Sequence, residues 1–89
     1  MIENKVTIIN KLGLHARAAA KLVSTASGFS SKIKVAYNGK DVDGKSIMSV
    51  MMLAASKGCE LTVKVDGEDE VAAIKAVLNL INNRFDEDE

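Results

Sequence analysis

The dipeptide Asn38-Gly39 lies between two segments whose side chains alternate, and that arrangement leaves the chain little freedom. A two-residue hairpin turn needs positive φ at both central positions, which Asn and Gly tolerate best. Upstream, Ile33, Val35 and Tyr37 alternate with Lys32, Lys34 and Ala36; downstream, Lys40 to Asp43 supply a short partner. A hairpin is therefore expected here. Two further stretches have the same period. Ile2, Val6 and Ile8 share one face of residues 2–9, and Leu61, Val63 and Val65 alternate with Glu60, Thr62 and Lys64. Each segment has one apolar face, so the sheet is expected to be covered on one side only.

Between these strands the period changes. Ala16, Ala19, Ala20, Val23 and Ala26 recur at helical spacing, and Gly28 is placed to end that helix in a left-handed conformation. Ser46 precedes a compact apolar helix running from Ile47 to about Leu53. After Asp66-Gly67, the residues Val71, Ile74, Val77, Leu78, Ile81 and Phe85 form one helical apolar face. The expected order is β-α-β-β-α-β-α. This is an α+β open-faced sandwich: a four-stranded antiparallel sheet with three helices on one face, in a single domain spanning 1–89.

A chain of 89 residues supports one domain and excludes a two-lobed enzyme or a large cofactor site. With no Trp and 3% aromatics it has no base-stacking platform, so nucleic acid is not an expected partner. Cys59 is alone, which suits a reducing compartment. The longest apolar run, Val50 to Ala55, is too short to cross a bilayer, and the N-terminus lacks a signal-peptide apolar stretch. A cytoplasmic monomer without membrane insertion is expected. The zero net charge hides an asymmetry. Asp86-Glu87-Asp88-Glu89 are all acidic, and residues 1–85 carry twelve basic against eight acidic side chains, or +4. The tail reads as solvated and frayed, and the body as suited to anionic partners.

Two features could carry chemistry. Gly39-Lys40-Asp41-Val42-Asp43-Gly44-Lys45-Ser46 matches the phosphate-binding expression G-x-x-x-x-G-K-[ST]. That motif needs a buried strand ending at its first glycine and a long helix after its lysine. Here the first glycine sits in the hairpin, the next residues read as a strand, and two aspartates face the would-be phosphates. Nucleotide binding is disfavoured. His15 is the stronger candidate. Gly13 and Leu14 precede it and a helix starts at or just after it, which gathers free N–H groups and the positive end of the helix dipole near the ring. Arg17 is two residues on. Both disfavour an imidazolium, favour a neutral nucleophilic ring, and would stabilise an attached anion such as a phosphoryl group. No carboxylate neighbours His15 in sequence, and one His with one Cys is a thin metal-ligand set. No metal or cofactor is expected.

Gly13-Leu14-His15-Ala16-Arg17-Ala18, followed by Gly44-Lys45-Ser46-Ile47-Met48-Ser49-Val50-Met51, closely resembles the HPr family of bacterial phosphocarriers of the phosphoenolpyruvate-dependent sugar phosphotransferase system. The resemblance covers essentially the whole chain. It implies a carrier, not an enzyme, that takes a phosphoryl group from enzyme I on the pros nitrogen (Nδ1) of His15. Arg17 is then its electrostatic partner, and the group passes to the A components of sugar permeases. It implies that Ala20, Ile47, Met48 and Met51 form the docking face. It also implies that Ser46, read from its position as an N-cap, is a regulatory phosphorylation site for an HPr kinase/phosphorylase.

The chain departs from the family's common pattern at Ala18, where many relatives have Pro. It departs again at Ser24 and Ser27, where many carry basic residues, which weakens attraction to acidic partners. Two alternatives stand beside the sugar branch: a paralogous carrier in a nitrogen-related phosphotransfer chain, and a non-catalytic interaction module of the same fold.

Overall fold

A computed structural model describes residues 1–88. The elements run β1 (Ile2–Thr7), α1 (Ala16–Ser27), β2 (Lys32–Tyr37), β3 (Lys40–Asp43), α2 (Ile47–Met51), β4 (Glu60–Asp66) and α3 (Glu70–Asn82), with a 3-10 turn at Arg84–Asp86. The four strands form one sheet in the order β1-β4-β2-β3, antiparallel at every pairing. β1 and β2 consequently run in the same direction, with β4 filling the gap that the α1 crossover leaves between them. The expected architecture holds.

Register follows from the alternation. Val6 stands opposite Leu61, Ile33 opposite Val65, and Val35 opposite Val63, and all six are buried. The intervening residues, among them Lys5, Lys32 and Lys34, are exposed on the other face. A slip of one residue would reverse these faces, so burial pins the register. The hairpin turns through Asn38 (φ 53) and Gly39 (φ 82), the left-handed pair that a type I′ turn requires.

The structure departs from the sequence reading at each helix. Gly28 ends α1 at φ −75, not in a left-handed conformation; the last turn tightens instead, with Gly28 N–H donating to Thr25 and Phe29 N–H to Ala26. The buried stripe of α1 is Ala18, Ala19, Leu22 and Ala26, while Ala16 and Ala20 face solvent. Leu22 sets the rotation because an alanine gains little from burial and a leucine much. In α3 the buried positions are Ala73, Ile74, Val77 and Ile81, Val71 is exposed, and the helix stops before Phe85. Phe85 reaches the core by another route, through a turn in which Arg84, Phe85 and Asp86 all have positive φ (56, 52 and 62). Left-handed backbone costs a non-glycine residue about 1–2 kcal/mol. Complete burial of the Phe85 ring and a 2.9 Å hydrogen bond from Lys21 Nζ to its carbonyl oppose that cost. α2 is also shorter than expected, ending at Met51.

Asp69 fastens α3 to the loop before β2. Its carboxylate accepts from the amides of Ser30 and Ser31 at 2.9 and 3.0 Å and from both of their hydroxyls. The Ser31 hydroxyl, then the amides, hold the Asp69 carboxyl at about 2, below the ordinary 3.8, against a smaller opposing desolvation. A depressed carboxyl contributes stability above its unfolded value and loses it as pH falls through its folded one. Asp69→Ala is accordingly expected to lower the melting temperature at pH 7. The gap from wild type should narrow between pH 3.8 and about 2, as thermal melts across that range would record.

Candidate functional site

The segment leading into α1 is held by β4's approach loop. Leu14 N–H donates to the Ala55 carbonyl at 3.0 Å, and Gly13 (φ 67) turns against Ser56. A methyl group at Gly13 would lie 2.8 Å from Ser56 Cα and 2.9 Å from the Ala55 oxygen. Both neighbours are backbone and cannot yield easily. Only glycine therefore combines this φ with this approach, and it delivers His15 to the start of α1.

His15 is the N-cap residue, extended at φ −78 and ψ 178. Its carbonyl accepts the first helical bond, from Ala19 N–H at 2.8 Å, but its side chain caps nothing. The helix start keeps its unpaired first-turn donors and its positive dipole end. The ring is 26% exposed. Arg17 is exposed on the same first turn and makes no ion pair among the described residues. Ala20, one turn further, is exposed on the face that carries Arg17.

No carboxylate stands beside His15 in sequence, but the fold brings one to the ring. Glu87 Oε2 lies 2.6 Å from His15 Nε2, across 72 residues of sequence. Glu87 Oε1 accepts from Asn10 Nδ2 at 2.8 Å, and that same amide donates to the Gly13 carbonyl at 2.8 Å. Asn10 is completely buried, and among the described residues its Oδ1 has no hydrogen-bond partner. The Glu87 side chain is only 14% exposed, so the reading of a frayed acidic tail fails at this residue. The reason is Phe85: burying its ring folds the chain back over α1. Glu89, the last residue of that tail, lies outside the described residues.

Desolvation pushes the Glu87 carboxyl up. Hydrogen bonds from Asn10 and His15 and the nearby positive charges of His15 and Lys21 outweigh it, and the group titrates below the usual carboxylate range. A carboxylate that accepts from Nε2–H selects the tautomer whose lone pair is on Nδ1. Among the described residues Nδ1 has no hydrogen-bond partner. The site thus offers one free ring nitrogen, a helix N-terminus and a guanidinium.

The remaining candidates lie on α2, which packs against α1. Ser46 is its N-cap, and its hydroxyl accepts from Ser49 N–H at 3.4 Å. Ile47, Met48 and Met51 are exposed at 42%, 72% and 39%, with Val50 buried beneath them. Met52 and Leu12 add to the exposed apolar surface at 72% and 67%. The phosphate-loop match dissolves: residues 40–43 are β3, and Lys45 Nζ is spent on the Phe29 carbonyl at 2.7 Å. Among the described residues no cluster of His, Cys, Asp and Glu is arranged to hold a metal. Among the described residues no helix is long and apolar enough to cross a membrane.

Asn10 and Glu87 are the residues at the His15 ring that sequence reasoning missed. Asn10 reads as a break in a strand and Glu87 as one of four acidic tail residues. The only available signal was Phe85, a large apolar residue just before an acidic run.

Residues 2–83 match the family described as PTS HPr component phosphorylation site. The chain is 56% identical over 89 residues to phosphocarrier protein HPr of Cupriavidus necator, covering all of both chains. It is 57% identical over 86 residues to that of Pseudomonas aeruginosa, covering 96% of each. The crystal structure of HPr-C-His from Thermoanaerobacter tengcongensis superposes with a TM-score of 0.96 at 47% identity, covering both chains completely.

Gly13→Ala is expected to destabilise the chain by more than about 1 kcal/mol, since a strained φ and a backbone clash act together. It is also expected to perturb His15 ahead of distant residues. Denaturant melts and amide chemical shifts would reveal both effects; a Gly13→Ala protein with wild-type stability would contradict this account of the turn.

Proposed function

The chain belongs to the HPr family of the phosphotransferase system and is a phosphocarrier; from that membership we propose that His15 Nδ1 is the atom that accepts and surrenders the phosphoryl group. The observation that carries this reading is the ring itself, partly exposed at an uncapped helix start with one nitrogen engaged and the other free. Phosphoryl transfer makes little covalent demand on the protein and depends on alignment and positive charge around the equatorial oxygens. First-turn amides and the Arg17 guanidinium supply that charge. The stabilisation is moderate and open to solvent, which suits a group that must be handed on.

The protein acts as an intermediate and not as an enzyme with its own turnover. Its donor is enzyme I and its acceptors are the A components of sugar permeases. It works as a cytoplasmic monomer. Ala20, Ile47, Met48 and Met51 form the docking face, where pliable methionines on a short helix adapt to several partners. Ser46 is the regulatory site of an HPr kinase/phosphorylase. A phosphate there adds about −1.5 to −2 charge to the edge of that apolar face. The charge leaves the N-cap position intact and opposes docking to acidic surfaces.

Incubation with phosphoenolpyruvate and enzyme I is expected to place acid-labile phosphate on the wild-type chain and none on His15→Ala. Equal labelling of the two would sink the assignment. With ATP and the kinase, an acid-stable phosphoserine is expected at Ser46, and its absence would remove the regulatory reading. Ser46→Asp is expected to slow association with enzyme I roughly tenfold at low salt, less at high salt, because an added charge at an interface rim acts mainly on the on-rate. Stopped-flow binding at two ionic strengths would measure this.

A further inference from the structure

We propose that Glu87, held in place by Asn10, is a positioning residue that sets the His15 tautomer and balances the charge of the phosphorylated ring. This rests on the reading that His15 Nδ1 is the acceptor.

The two oxygens of Glu87 are both used, one on His15 Nε2 at 2.6 Å and one on Asn10 Nδ2 at 2.8 Å. Such a carboxylate cannot swing as a surface side chain does, and the buried Asn10 that grips it is itself tied to the Gly13 carbonyl. The chain reaches this position through three consecutive left-handed residues, Arg84, Phe85 and Asp86. Backbone strain of this kind persists only where surrounding contacts enforce it. Here the enforcing contacts are the core burial of Phe85 and the Lys21 hydrogen bond. Glu87 also lies beyond the residues 2–83 that the family pattern matches, so its role is not contained in that pattern.

The chemistry follows from the proton that Glu87 holds on Nε2. The Nδ1 lone pair forms the new bond to phosphorus while the bond between phosphorus and the donor breaks, and the donor keeps that electron pair. Nε2 retains its proton throughout. The ring therefore becomes an N-phosphorylated imidazolium whose positive charge faces the Glu87 carboxylate. On transfer to the next acceptor, the Nδ1–phosphorus bond breaks, its electron pair returns to Nδ1, and the neutral starting tautomer is restored. No proton enters or leaves in either direction. A carboxylate fixed behind a histidine plays the same part where it orients an imidazole and compensates the charge that develops on it.

Nitrogen-15 spectra of His15 test the proposal, read together with the rate of phosphoryl transfer from enzyme I. In the wild type at neutral pH the Nε2–H tautomer is expected to dominate. Glu87→Gln keeps the size and an acceptor oxygen but removes the charge, and Asn10→Ala releases the carboxylate without touching it. Both are expected to shift the tautomer populations towards a mixture and to slow transfer by roughly 10- to 100-fold, the range common for residues that orient a functional histidine. Melting temperatures identify any variant that loses the fold, and a chain ending at Asp86 then serves as the second test of the same loss. Unchanged tautomer populations or an unchanged rate in a folded Glu87→Gln protein would overturn the role of Glu87 alone. A wild-type chain that takes no phosphate on His15 would instead overturn the acceptor assignment.

Discussion

A helix start concentrates unpaired N–H donors, and at α1 the side chain best placed to satisfy them, that of His15, turns to Glu87 instead. A Ser, Thr, Asn or Asp in that position would stabilise the helix by about 0.5–2 kcal/mol. The protein forgoes this and keeps positive potential beside a ring nitrogen. Much of the surrounding structure makes the uncapped start tolerable. Gly13 turns against Ser56, Leu14 is pinned to Ala55, and Ala18, Ala19, Leu22 and Ala26 bury the far side of the helix. Stability withheld at the helix end is supplied by packing along its length.

The same economy governs α2. A five-residue helix cannot stand on its own hydrogen bonds, and only Val50 among its residues is buried. It persists because Ser46 caps it and because α1 lies alongside. The outcome is a small apolar surface with Ile47, Met48 and Met51 exposed next to the element that carries His15. A carrier must release each partner after transfer. On the docking face proposed above, flexible methionines on a short helix would offer contact area without the deep pocket that makes a complex long-lived.

How much of this was legible depended on the kind of residue involved. Val6, Ile33, Val35, Leu61, Val63 and Val65 announced their faces because strand side chains alternate strictly and these are large. Asn38-Gly39 announced its turn because few dipeptides adopt two positive φ values. His15 and Arg17 stood out through their position at a helix start, and Ser46 through the apolar run after it. The alanines of α1 marked a helix without fixing its buried face, since a methyl group gains too little from burial to dictate one, and Leu22 decided the rotation. The spacing of Phe85 rightly marks it as core but wrongly as helix, because i+4 from Ile81 does not reveal that the backbone has reversed its hand in between. Val71 satisfied the period yet remained at the surface, for a helix of this diameter touches the sheet over a narrow stripe.

The sequence by itself determined the strand and helix pattern, the hairpin, the one-sided sheet and the residues of the phosphorylation motif, because each is written in neighbours within a few positions. Only the tertiary structure decided that the acidic tail returns to the histidine. Glu87 meets His15 across 72 residues of chain and Asn10 across 77, through the burial of Phe85 and three left-handed residues. No local spacing encodes such a meeting. A carboxylate in an acidic run is ordinarily a solvated charge, and its role changes only when a distant ring anchors the chain that carries it.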